Sequence, residues 1–178
     1  MLEGQQSPDH RHGFVGASKG SPNERRDVQR AISLWQRHVS PDGRAPLLTS
    51  FDFSAMKGGW GNRFLICSDQ GVANAAFVMY GMNFAQLFDL PEKITTIAPL
   101  MQQIPVRYRP VFAEGCSKAL IEPEPAQLSG SFSFEFKNEL YRAVFLPIRI
   151  HPNWSKRLIF GSFNYTMVLA VDKKATEK

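Results

Sequence analysis

The sequence predicts an α+β domain: a five-stranded antiparallel sheet with helices on one face, preceded by an amphipathic N-terminal helix. Three observations predict it. Val28, Ala31, Ile32, Trp35 and Val39 recur at helical spacings of three and four. Further on the apolar pattern changes to a period of two, before residue 80 and again after 128. Between those stretches, Pro99, Pro105 and Pro110 divide the chain into short helical pieces, because each removes a backbone donor.

The elements follow in order. Residues 1–23 are rich in Gly, Ser, Pro, Gln and Asn, a composition too poor in apolar side chains to order itself, and are expected to form a flexible tail. The first helix is expected over 24–40, with Ser21 or Asn23 as its cap and Ser40-Pro41-Asp42-Gly43 ending it. A short helix or turn is expected from Ser50 to Met56, broken by Lys57-Gly58-Gly59. Arg63 to Cys67 reads as a strand, Ser68 to Gly71 as a tight turn and Val72 to Tyr80 as the hairpin partner. Asn83 is placed to cap a short helix carrying Phe84, Leu87 and Phe88, and Val111–Leu120 is a connector helix crossing one face of the sheet.

Three more strands follow the turn signal Glu122-Pro123-Glu124-Pro125. In Ser129–Lys137, Phe132, Phe134 and Phe136 alternate with Ser131, Ser133 and Glu135, and Lys137-Asn138 is read as a turn. Leu140–Ile150 puts Arg142, Val144, Leu146, Ile148 and Ile150 on one side and Tyr141, Ala143, Phe145 and Pro147 on the other. Arg157–Ala170 is the last strand, and 172–178 is expected to fray.

Composition bounds the function. A chain of 178 residues that is 43% hydrophobic supports one core, so a single domain over 24–171 is expected. The net charge of +5 is spread over pairs such as Arg25-Arg26, Arg107 with Arg109, and Lys156-Arg157, with no dense basic block. That pattern favours acidic partners over nucleic acid. Cys67 and Cys116 lack CxxC spacing, and neither a signal-peptide core nor a run of about 18 apolar residues occurs. We expect a cytoplasmic protein, with neither export nor membrane insertion.

Catalysis is not expected. His38 and His151 have no acid or thiol beside them in sequence, and GxGxxG, Walker and HExxH motifs are absent. His10 and His12 are read as an accident of the tail, not a metal pair. Cys67, in a strand, is expected to be a small core residue, and Cys116, near Lys118, is the better redox candidate of the two. Phe77, Phe84, Phe88, Phe132, Phe134, Phe145, Phe163 and Tyr165 are candidates to line a pocket for a small hydrophobic ligand, with Arg107 or Tyr108 as its polar handle. The plainer reading, which we prefer, is that these rings fill an ordinary core. The stripe Val28, Ile32, Trp35 and Val39 is either core or a homodimer interface; we expect the interface, since a tryptophan near the centre of an apolar patch is a common anchor.

The order helix, two strands, short helices and three strands resembles the PAS fold. The likeness runs over residues 25–170 and is carried by Ser33-Leu34-Trp35, Gly43-Arg44-Ala45-Pro46, Phe51-Asp52-Phe53, Phe64-Leu65-Ile66 and Ala143–Ile148. These are similar to single-domain PAS proteins of the alphaproteobacterial type. The resemblance implies a cytoplasmic sensor or adaptor in signal transduction that binds a small ligand or an unidentified signalling protein. It implies no cofactor: the histidine of haem-binding members is absent from Ile94–Leu120, and Gly61–Ile66 lacks the cysteine of the flavin type. Two alternatives stand beside it. One is a small-ligand-binding α+β cone protein or ketosteroid-isomerase-like enzyme, which needs an acid facing a deep pocket; the other is a nucleic-acid-binding accessory protein, suggested by charge alone.

Overall fold

Residues whose apolar side chains alternate pair into one sheet, and helices close over both of its sides. The computed structural model describes residues 22–55, 60–69, 71–121, 124–134 and 137–169, without the side chains of 22–24, 134 and 169. The strands are β1 (Arg63–Ser68), β2 (Ala76–Tyr80), β3 (Ala126–Phe134), β4 (Lys137–Arg149) and β5 (Arg157–Leu169). They form a five-stranded sheet in the order β2-β1-β5-β4-β3, all neighbours antiparallel. The helices are α1 (Pro22–Arg37), α2 (Met82–Phe88), α3 (Leu100–Gln103) and α4 (Arg109–Ile121). The α+β class and the five strands are as the sequence predicts.

Residues 1–21 and 170–178 lie outside the described residues, as do the Lys57-Gly58-Gly59 break and the expected cap at Ser21. Several boundaries move. The helix expected over 24–40 runs from Pro22 to Arg37, and that expected over Ser50–Met56 is two single 3₁₀ turns, Leu48–Ser50 and Phe53–Ala55. Val72–Asn74 is a 3₁₀ turn, so β2 starts only at Ala76. Gly81, not Asn83, is the N-cap of α2, and no side chain caps it. Lys137 and Asn138 are no turn; they open β4, paired with Leu169 and Val168 of β5.

The connecting helices cover one face as expected. There α4 and its neighbours bury Phe64, Ile66, Ala143, Phe145, Ile159 and Phe163. The alternate residues Leu65, Val144, Leu146, Ile148, Leu158 and Phe160 point the other way, and α1 closes over them. Both faces are therefore buried over 143–149 of β4 and 158–164 of β5, and 143–148 reads as a near-continuous apolar run.

Packing against the chain's own sheet overturns the homodimer interface. Val28, Ile32 and Trp35 are 7%, 6% and 4% exposed within one copy, and Val39 packs against the same cluster. The Trp35 indole donates to the Pro147 carbonyl across 2.7 Å. A stripe already buried in this way has no surface left to offer a second copy.

Pro147 sits in a sheet strand because β3 stops short of it. The last β3–β4 pair is Ala126 with Phe145, so no β3 neighbour waits for the missing Pro147 N–H. Beyond that point the loop before the first 3₁₀ turn runs beside β4, with the Arg149 amide donating to the Pro46 carbonyl at 2.8 Å. The buried Arg149 guanidinium donates to Ala45 O and Ser40 Oγ, at 2.8 and 2.7 Å. Gly43, with φ of +76°, supplies the left-handed residue that this turn requires.

Candidate functional site

The predicted pocket residues do come together, but as a solid. Phe77, Phe84, Phe88, Tyr108, Phe145 and Phe163 are each no more than 2% exposed. At their centre stands Phe112 of α4, whose ring lies 5.4–6.4 Å from those of Phe64, Phe77, Phe84, Phe88, Phe145 and Phe163. Such tilted, edge-to-face and stacked pairs are the favoured ring geometries, and together they occupy the space an enclosed ligand would need. Gly115 lets α4 come this close: a Cβ there would meet the Phe145 ring at 2.2 Å.

Two of the candidates stand apart. Phe132 is half-buried between Tyr108 and Tyr141, while Tyr165 is 43% exposed. Tyr165 shares its face with Phe163 but lies farther along β5, paired with Tyr141. The side chain of Phe134 lies outside the described residues. The ligand pocket therefore gives way to a close-packed core, in line with the plainer reading.

Arg107 and Tyr108 are drawn into a different contact, one that the sequence conceals. Glu139 of β4 is 4% exposed; its Oε1 accepts the Tyr108 hydroxyl, and Oε2 lies 3.4 Å from Arg107. The Arg107 guanidinium also stands 4.5 Å over the Tyr108 ring. Burial, and then the Glu139 carboxylate, push the Tyr108 hydroxyl well above the usual tyrosine range. An isomerase-like reading asks for an acid open to a deep pocket, whereas both oxygens of this one are engaged by Tyr108 and Arg107. Nothing in the spacing around Lys137-Asn138 marks Glu139, since its partner is 31 residues away.

A second polar cluster lies on the α1 face. Asp27 of α1 takes Arg63 on Oδ1 at 2.6 Å and the Ser162 hydroxyl on Oδ2 at 2.6 Å. Asn164 donates to Ser162 Oγ at 2.8 Å and accepts from Asn62 at 2.9 Å. Arg63, Ser162 and Asn164 are buried. Buried polar groups need partners, so this chain of contacts fixes how α1 sits on β1 and β5.

Beside that cluster opens a hollow of about 620 Å³ between the flank of α1 and the start of β1. Arg26, Arg30, Ser33 and Arg37, spaced four, three and four apart, form its helical wall together with Gln29, and Arg63 lies at its sheet side. Leu34 and Ala55 also line it, and among the described residues no acidic side chain does. Among the described residues no carboxylate pairs with Arg26, Arg30 or Arg37. Like charges at Arg26 and Arg30, one turn apart, cost a helix about 0.2–0.5 kcal/mol. A smaller hollow of about 270 Å³ on the opposite flank is lined in part by Arg25, Gln127, Ser129 and Arg142.

His38 Nδ1 lies 2.8 Å from the Leu34 carbonyl and its ring meets Phe51, while His151 lies exposed against Trp154. Cys116, the better redox candidate of the two, is fully buried, and burial pushes its thiol up to about 12. Cys67 is half-buried, and burial raises its thiol as well. Among the described residues no group of three or more His, Cys, Asp or Glu side chains is placed to hold a metal ion. No helix among them is long and apolar enough to cross a membrane. No family model matches the chain, and no curated protein matches it in sequence.

Proposed function

We propose that this chain is a PAS-like sensory and protein-interaction module that works by binding, not catalysis, and takes its ligand or partner at its surface. The observation that carries the reading is the position of Phe112: with six rings around it, the space between the sheet and its connecting helices is filled. Binding is thereby displaced to the outside of the sheet, where the larger described hollow opens beside α1. The order of elements supports the PAS-like part of the proposal, with two strands, a run of short helices and a three-strand meander. A reducing, cytoplasmic setting suits the two free thiols.

The test is native mass spectrometry, with an absorption spectrum, of the chain as purified. The expected result is the mass of the bare polypeptide and no visible band. A retained apolar compound or a chromophore would return the binding site to the interior and sink the proposal.

A further inference from the structure

We infer that the hollow between α1 and the start of β1 is a binding site for a small phosphorylated molecule, of the size and charge of a nucleoside diphosphate. The inference rests on the surface-binding reading and names the ligand class. Among the described residues, the four cations around the hollow are all arginines. The guanidinium is a planar fork that meets two oxygens of a phosphate at once, which an ammonium cannot do. One of the four is held in place before any ligand arrives: Arg63 is buried, and Asp27, itself fixed by Ser162, sets its position. The other three stand on one flank of a helix, so their Cα atoms are fixed relative to one another.

Charge balance selects the ligand. Among the described residues, four arginines less Asp27 leave three positive charges beside one hollow. A single carboxylate would answer one of them. A phosphate monoester carries about −1.5 to −2 near neutral pH and presents three acceptor oxygens, so two linked phosphates come closer than one to the charge of the site. Ser33 and Gln29 add a hydroxyl and an amide at the same wall. Size argues against an extended polymer: about 620 Å³ falls within the range of small-molecule pockets, roughly 300–1,000 Å³.

Calorimetric titration of the full chain at low ionic strength tests this, with inorganic pyrophosphate, adenosine diphosphate, adenosine, and phosphatidylcholine vesicles containing phosphatidylserine as probes. Pyrophosphate and adenosine diphosphate should bind and adenosine should not. The double variant Arg26→Gln/Arg30→Gln, both positions exposed, should keep its melting temperature and lose at least about tenfold in affinity, or about 1.4 kcal/mol. Lys93→Gln/Lys156→Gln removes the same charge from exposed sites elsewhere and should stay within about twofold. Equal losses in the two double variants would mean diffuse attraction and would overturn the site, as would no heat with pyrophosphate. Vesicle binding that depends on Arg26 and Arg30 and is not displaced by pyrophosphate would also overturn it, in favour of a lipid surface. Each of these failures leaves the native-mass result standing, so the two proposals fail separately.

Discussion

The indole Nε1 of Trp35 donates to the carbonyl of Pro147 across 2.7 Å, joining the last turn of α1 to a strand 112 residues later in the chain. The contact combines a large apolar side chain, in one cluster with Val144, Leu146 and Ile148, with a hydrogen bond to the carbonyl of a buried residue. Trp35→Ala should cost about 3–5 kcal/mol in urea unfolding, the range for deleting a buried aromatic. Trp35→Phe, which keeps most of the packing and loses only the donor, should cost about 1–3 kcal/mol. Light scattering should return the same mass for the folded Trp35→Phe variant as for the parent. A parent dimer that dissociates on this change would restore the interface reading.

The approach of α4 to β4 at Gly115 is as tight as a backbone permits, with the Phe145 ring where a Cβ would stand. Gly115→Ala should lower the melting temperature, at a cost of about 1–3 kcal/mol, because a well-packed core resists even one added methyl. An unchanged melting temperature would mean that Phe145 can swing aside.

The Tyr108–Glu139 contact predicts an asymmetry. Tyr108→Phe leaves a buried carboxylate without its hydroxyl donor and should cost about 1–3 kcal/mol. Adding Glu139→Met removes the stranded charge, so the double variant should be more stable than Tyr108→Phe alone. Chemical denaturation of the three proteins checks the order.

Cys116 predicts how stability depends on pH. Its thiol is held up to about 12 in the native state against an ordinary 9.0, so only the unfolded chain gives up the proton between those values. The contribution is complete below about pH 9 and is lost as pH rises towards 12. Burial and Glu139 raise Tyr108 in the same sense. Denaturation midpoints should fall above pH 9, and less steeply in Cys116→Ala. In native protein, dithionitrobenzoate should label no more than Cys67, and both thiols should react once the chain is unfolded.

Much of the fold was legible because it depends on local pattern. Alternation over Leu140–Ile150 sorted Val144, Leu146 and Ile148 from Ala143 and Phe145, and the two sets do face opposite sides. Three prolines correctly foretold a broken helical connection between β2 and β3. Turn boundaries were less legible, since Lys137 and Asn138 look like turn residues and are kept in β4 by pairing with Leu169 and Val168. The arginine wall was not read from the sequence, and its meaning depends on Arg63, which β1 delivers from outside the helix.

By itself the sequence determined the class of fold, the number of strands and which side chains share a face, because periods of 3.6 and 2 are properties of single elements. Only the tertiary structure decided what each face meets. An apolar stripe on a helix is equally satisfied by its own sheet or by a second copy, and the Trp35–Pro147 bond is a choice between them that no local pattern records. In the same way, alternating phenylalanines suit a cavity wall as well as a solid core. Phe112, carried across the sheet by α4, decides for the core by occupying the space between them.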